Sequence, residues 1–314
     1  MREARFIKQN TDKWQTIEQT PTTDPDQLTE RFIELTDDLA YARTFYPNAR
    51  VTQYLNELTG RVHRGLMQSK RSDVNRFVHF WQYELPLLFR QTHPLLAVAA
   101  GIFLLAGLLG WVSAAHDDTF IRLILGDGYV NMTLENIKKG NPLGVYGESD
   151  QGEMFFQITL NNIYVAFRTF IFGLLASFGT VAMLFYNGVM LGAFQEFFHE
   201  RGLLLESILK IWIHGTLEIS AIVIAGSAGL TVGNSLLFPG TYSRLVSFKR
   251  GMKQGIKIAV GLIPIFVTAG FLESFVTRLT LPPVVSIGII GLSAAFIGWY
   301  FIVYPIILNR RLQP

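Results

Sequence analysis

The chain contains no cysteine, which excludes a disulfide framework and any thiolate metal site and removes redox chemistry as a guide to compartment. Charge is scarce as well. Asp, Glu, Lys and Arg make up 16% of the 314 residues, against 50% hydrophobic residues and a mean hydropathy of +0.31; soluble domains carry about 25% charged residues, so an ordinary soluble protein is excluded. The segment Met1 to Trp14 lacks a continuous apolar core and a small-residue cleavage site, so no signal peptide is expected and the first residues are expected on the cytoplasmic side. The apolar stretches offer no serine nucleophile, aspartate pair or zinc-type motif. Catalysis therefore has no support, and no cofactor is expected. The small positive charge, +3 with a pI near 9.0, comes mostly from segments beside the apolar runs, which argues for membrane orientation and against a nucleic-acid partner.

What is present divides in two. Residues 1–93 are polar, with basic and acidic side chains nearly balanced, and almost everything after Pro94 is long apolar runs. In residues 1–72 the apolar side chains recur at helical spacing: Phe6, Trp14 and Ile17, then Leu28, Phe32, Ile33, Leu35, Leu39 and Phe45, then Val51, Tyr54, Leu55, Leu58, Val62 and Leu66. Asp24-Pro25 supplies a cap followed by proline at the first helical position, and Tyr46-Pro47-Asn48 ends that helix. A cytoplasmic three-helix domain used for contact with partners is expected. Residues 73–93, with Phe77, Phe80, Trp81, Leu85, Leu88 and Phe89 flanked by Arg71, Arg76 and Arg90, suit an amphipathic helix in the headgroup plane, or one packed on the preceding domain. Pro94 is expected to turn the chain inward.

The expected architecture is all-α: a polytopic membrane protein with about six spans in residues 94–314 and an extracytoplasmic loop at 116–152. Leu95 to Ala115 is the clearest span, about 20 residues for about 30 Å of hydrocarbon. Phe155 to Ser177, Gly179 to Phe197, Leu203 to Gly240, Gly255 to Phe275 and Val284 to Leu308 follow. The loop holds the acids Asp117, Asp118, Asp127, Glu135, Glu148 and Asp150, and its apolar Phe120, Ile121, Leu123 and Ile124 predict short helices on the outer surface. Arg244, Lys249, Arg250, Lys253 and Lys257 form a basic loop with no acid, a docking place for an ATPase or anionic lipid. Six spans put that loop and both termini on one side, the cytoplasmic side of a bacterial inner membrane. Five would misplace one of them.

Within this frame the polar residues of the spans become the candidate site. Lys210, His214 and Glu218 lie four apart on one helix face, and Asn161, Asn162, Arg168, Asn187 and Glu273 sit in other spans. A charge at the bilayer centre costs about 2.5–3.5 kcal/mol on insertion scales, so such groups face a protein interior or a wet cavity. A polar cluster in the outer half is expected, with Arg168 paired to Glu218 or Glu273. The alternatives are structural: asparagines as interhelical hydrogen bonds of about 0.6 kcal/mol each, a purely structural ion pair, and Lys210 snorkelling to the interface. His214 and Glu218 have metal-ligand chemistry but lack a third partner in the pattern, so no metal is expected. Gly215, and the small residues Gly226, Gly229 and Gly233 in the fourth span with Gly288, Gly291, Ala295 and Gly298 in the sixth, permit close helix packing within the chain or against a second copy.

The segments TLNNIYVAFRTFIFGLLASFGT, NGVMLGAF and HGTLEISAIVIAGSAGLTVGNSLLFPG, with LAYARTFYPNARVTQYLNELTGRVHRGLM before them, resemble the stage II sporulation protein M family of multi-pass bacterial membrane proteins. The family's HGxxE element falls on His214, Gly215 and Glu218, and its paired asparagines on Asn161 and Asn162. The resemblance implies a membrane anchor and scaffold for cell-wall-degrading partners, and in the broader branch, which the long N-terminal domain and sixth span resemble, a neighbour of MoxR-type ATPases. Two functions are therefore expected: a scaffold or assembly subunit that works with partner proteins, lipids and a homodimeric copy, or a transporter or channel component using the polar cluster.

Overall fold

A computed structural model describes residues 3–22, 24–67, 73–142 and 151–312. Arg71, Glu148 and Asp150 fall outside them. The described chain is all-α, with no strand, and forms two compact units, residues 1–78 and 79–314.

The first unit contains α1 (Glu3–Gln19), α2 (Pro25–Phe45) and α3 (Arg50–Met67). Asp24 caps α2, its carboxylate accepting from Asp26 N–H at 3.1 Å, with Pro25 starting the helix. Apolar stripes of the three helices meet in one core: Leu35, Ala42 and Leu55 are fully buried, and Phe6 packs edge-on against Trp14 at 5.5 Å. Polar bonds tie α1 to its neighbours. Trp14 Nε1 donates to Asp38 at 2.8 Å, and Glu18 accepts from Tyr54 at 3.0 Å and from Arg61 at 2.5 Å. The Arg61 and Tyr54 bonds hold the Glu18 carboxyl below its ordinary range.

The second unit begins with a π-helical turn, Phe80–Glu84, that runs into α5 (Leu85–His116); α4 (Asp73–His79) precedes it. Pro94 lies inside α5 and does not turn the chain. Its missing N–H removes one bond of the ladder, and the Thr92 hydroxyl, bonded back to the Leu88 and Phe89 carbonyls, sits beside the gap. The aromatic stripe accordingly does not end in a separate surface helix: Leu85 and Phe89 are buried in the core of the second unit, Phe89 against Phe301 at 4.6 Å. Two short helices, α6 (Asp118–Leu125) and α7 (Asp127–Lys138), follow α5 and bury Ile121 and Val130 against Phe197 and Phe198. Next come α8 (Gln151–Ile171), α9 (Phe178–His199), α10 (Leu204–Leu237), α11 (Arg244–Gly261), α12 (Ile263–Phe271), α13 (Pro283–Gly298) and α14 (Tyr304–Leu312). The expected basic loop is helical. Arg244 to Lys257 form most of α11, where Arg250 stacks on Tyr242 at 4.0 Å and Lys257 pairs with Glu84.

Among the described residues five helical segments are long and apolar enough to cross a membrane: Arg76–His116, Phe178–His199, Leu204–Leu237, Arg244–Val276 and Pro283–Leu312. The segment expected as the second of six, α8, is not among them, because Gln157, Asn161, Asn162 and Arg168 dilute its apolar character. Its packing nonetheless fixes its direction. Asn162 meets Glu218, Gly173 meets Gly229 and Gly233 meets Ser177, a constant offset of 56 residues, so α8 and the turn after it run parallel to α10. Gly226 packs on Leu184 while Gly229 packs on Thr180, so α9 runs opposite to α10. Phe103 lies over Gly188 and Gly107 over Gly192, so α5 and α9 are parallel. Two parallel helices require the chain to return between them, and α8 makes that return.

Glycine permits these approaches. A Cβ on Gly192 would collide with the Gly107 and Trp111 backbone, and one on Gly110 with the Val189 backbone. The reversal from α8 to α9 passes through Ala176 and Ser177 at φ of 50° and 69°, a left-handed conformation costly for residues other than glycine. Two outcomes follow. Gly192→Leu is expected to unfold or destabilise the bundle by about 3 kcal/mol or more, since the clash is with backbone, as read by thermal unfolding in detergent; an unchanged midpoint would contradict the packing. Because the Glu18 carboxyl is depressed in the folded state, its contribution is present above pH 4.5 and is lost as pH falls through the folded value. Arg61→Ala should therefore lower the unfolding temperature of the first unit at pH 7, by an amount that shrinks as pH falls below 4.5.

Candidate functional site

Three helical segments of the second unit bring chemistry together. α8 supplies Asn162, α10 supplies His214 and Glu218, and the π-helical turn Leu272–Val276 that ends α12 supplies Glu273, with Thr277 directly after it. His214 and Glu218 share a face because they stand four apart on α10. The π turn is closed by Thr277 N–H to the Leu272 carbonyl at 2.8 Å, the i to i+5 bond that often marks functional places in helices.

The geometry is close. Asn162 Nδ2 donates to Glu218 Oε1. The Glu218 and Glu273 carboxyls face each other with oxygens within 4.8 Å, and His214 Nε2 stands 3.8 Å from Glu273 Oε1. The Thr277 hydroxyl donates to the Leu272 carbonyl at 3.1 Å and so accepts the proton of His214 Nδ1 at 3.0 Å. That bond fixes the imidazole tautomer and leaves the Nε2 lone pair on the side of the carboxylates. One ligating atom from each of His214, Glu218 and Glu273 lies within 4.8 Å of the others. His214 is 3% exposed and Thr277 fully buried. Among the described residues no lysine or arginine lies within ion-pair distance of Glu218 or Glu273.

The site is smaller than the sequence pattern suggests. Arg168, expected to neutralise a glutamate, is exposed, and its guanidinium lies 5.5 Å from the Phe172 ring, toward the far end of α8. Asn161 is exposed, one residue from Asn162 and on another face. Asn187 donates to the Met183 carbonyl of its own helix at 2.8 Å, so it makes no interhelical bond there. Lys210 lies eight residues before Glu218, about 12 Å along the axis, and takes no part. Gly215 meets only Ile211 and Ile219 of its own helix at ordinary distance. Gly226, Gly229 and Gly233 are buried contacts against α9, α8 and the turn between them, whereas Gly288, Gly291 and Ala295 of α13 face outward, with nothing within 4 Å of either glycine. Thr277 escaped sequence reasoning because a lone threonine after an apolar run carries no pattern. Its position four residues after Glu273 was the available signal.

Two family models match the chain. Stage II sporulation protein M matches residues 99–278, which hold every member of the cluster, and a domain of unknown function (DUF8413) matches residues 4–68. The chain belongs to the stage II sporulation protein M family. No curated protein matches the chain, and no solved structure does. The sporulation protein M match therefore spans α5 to α12 and leaves α13, α14 and the first unit outside it.

The paired asparagines give a direct test. Asn162→Ala removes a donor from a half-buried carboxylate and should cost about 1–3 kcal/mol, while Asn161→Ala should stay within about 0.5 kcal/mol of the parent. Thermal unfolding of both variants in one detergent measures the difference, and equal effects would contradict the assigned faces.

Proposed function

We propose that the chain is a non-enzymatic assembly subunit of a bacterial inner membrane, in which the helical bundle holds the first unit at the cytoplasmic face for a partner protein. The observation that carries this reading is modularity. The first unit has its own core and its own family match, separate from the membrane family match. A small helical unit of this kind, with exposed Ile33 and Phe45 and a groove of about 230 Å³ lined by Ile17, Leu28, Arg31, Leu58, Arg61 and Val62, suits protein contact. The basic face of α11 and the terminal Arg310 and Arg311 support a cytoplasmic orientation for that end, and anionic lipid is the natural partner of such a face. The family resemblance supplies the partner classes: a MoxR-type ATPase or cell-wall enzymes. A homodimer through the outward small residues of α13 belongs to the same reading.

A second reading, transport of a proton, ion or lipid-like substrate, is favoured by one observation, the two half-buried glutamates beside buried His214 in helices long enough to cross a membrane, with no lysine or arginine at ion-pair distance among the described residues. The two readings separate experimentally. Under the assembly reading, deleting residues 3–67 leaves the bundle in the membrane and abolishes co-purification of partners from the native host, while proteoliposomes of the full chain carry no flux between pH 5 and 8. Flux that disappears in Glu273→Gln would replace the assembly reading with the transport one.

A further inference from the structure

The sequence pattern gave His214 and Glu218 no third ligand; the fold supplies one in Glu273. We propose that His214, Glu218 and Glu273 form a binding site for one divalent transition-metal ion, of the Zn²⁺ or Mn²⁺ class, inside the helical bundle. The proposal is independent of whether the chain assembles partners or moves a substrate.

Three observations converge on it. The ligating atoms come from two separate helical segments and lie within 4.8 Å of one another. Bonds of about 2.0–2.2 Å from one tetrahedral ion to imidazole nitrogen and carboxylate oxygen set the ligating atoms about 3.4 Å apart, so a spacing of 4.8 Å closes by about 1.4 Å through carboxylate rotation. Next, the imidazole is arranged as a ligand. Thr277 takes the Nδ1 proton and is itself held by the Leu272 carbonyl, so Nε2 faces the two carboxyls, the outer-shell arrangement that orients a metal-binding histidine. Finally, the carboxyls have no lysine or arginine partner among the described residues. Two carboxyl groups meet within helices long enough to cross a membrane, and Asn162 gives one of them a neutral donor. A dication between them would bind both carboxylates and Nε2 at once and tie α10 to the end of α12.

The donor set selects the ion. One imidazole and two carboxylates, with no sulfur, suit Zn²⁺ or Mn²⁺, whereas Ca²⁺ takes six to eight oxygens. Three protein ligands also leave a position open to water.

The test uses the full chain in a mild detergent, stripped with a chelator and dialysed separately against Zn²⁺, Mn²⁺ and Ca²⁺, with bound metal counted by mass spectrometry. One Zn²⁺ or Mn²⁺ per chain is expected, with no Ca²⁺ at the same free concentration and a raised unfolding temperature in the loaded protein. Glu273→Gln should weaken binding at least 100-fold. Thr277→Val keeps all three ligands and should still weaken it about 10- to 100-fold, so it decides the matter if the glutamate variant does not fold. Asn161→Ala should bind as the parent does. Absence of a stoichiometric ion in the parent, which would mean a proton alone bridges the carboxyls, overturns the proposal; so does equal occupancy by Ca²⁺, or unchanged affinity in Thr277→Val.

Discussion

Two carboxyl groups and an imidazole at membrane depth must be solvated by the protein that surrounds them, because hydrocarbon cannot do it. Everything around Glu218 and Glu273 is consistent with that requirement. α8 approaches α10 in parallel so that Asn162 reaches Glu218. The end of α12 widens into a π turn that carries Glu273 and Thr277 on the side of His214. Truncating a partner at such a place leaves a buried charge unpaired, which costs several times the net value of an ordinary hydrogen bond. The cluster therefore constrains three helices and not merely one.

Glycine makes the constraint affordable elsewhere in the bundle. Gly107 and Gly110 of α5 meet Gly188, Val189 and Gly192 of α9 at backbone distance, and Gly229 and Gly233 of α10 meet the end of α8 and its turn. Small residues at these crossings let dispersion act between backbones where lipid removes the usual hydrophobic drive between helices. The same contacts set directions. α5 with α9, and α8 with α10, run parallel, and each parallel pair demands an intervening crossing.

Much of this was legible in sequence because it rests on periodicity and composition. The three N-terminal helices, the apolar runs and the HGTLE face of α10 follow from spacing alone. The extent of the site did not. Asn161 and Asn162 are neighbours in sequence, yet only one side chain faces Glu218, and helix rotation is set by packing rather than by residue type. Arg168 reads as a counter-ion until the helix turns it toward Phe172. Glu273 reads as a residue at a span end until the π turn brings it 3.8 Å from His214. Pro94 reads as a break because its chemistry disfavours a helix interior, but Leu85, Leu88 and Phe89 before it are buried in the same core as Phe301, and that packing carries the helix straight through.

The central claim is that α8 returns the chain across the bundle, which places the acidic cluster between α8, α10 and α12. A chain without cysteine lets this be measured on single substitutions. Gly128→Cys in α7 and Thr241→Cys between α10 and α11, both exposed, are labelled in sealed membrane vesicles with an impermeant maleimide. If α8 crosses, the two cysteines are labelled from opposite sides of the membrane. Labelling of both from the same side would mean that α8 does not cross, and would contradict the account.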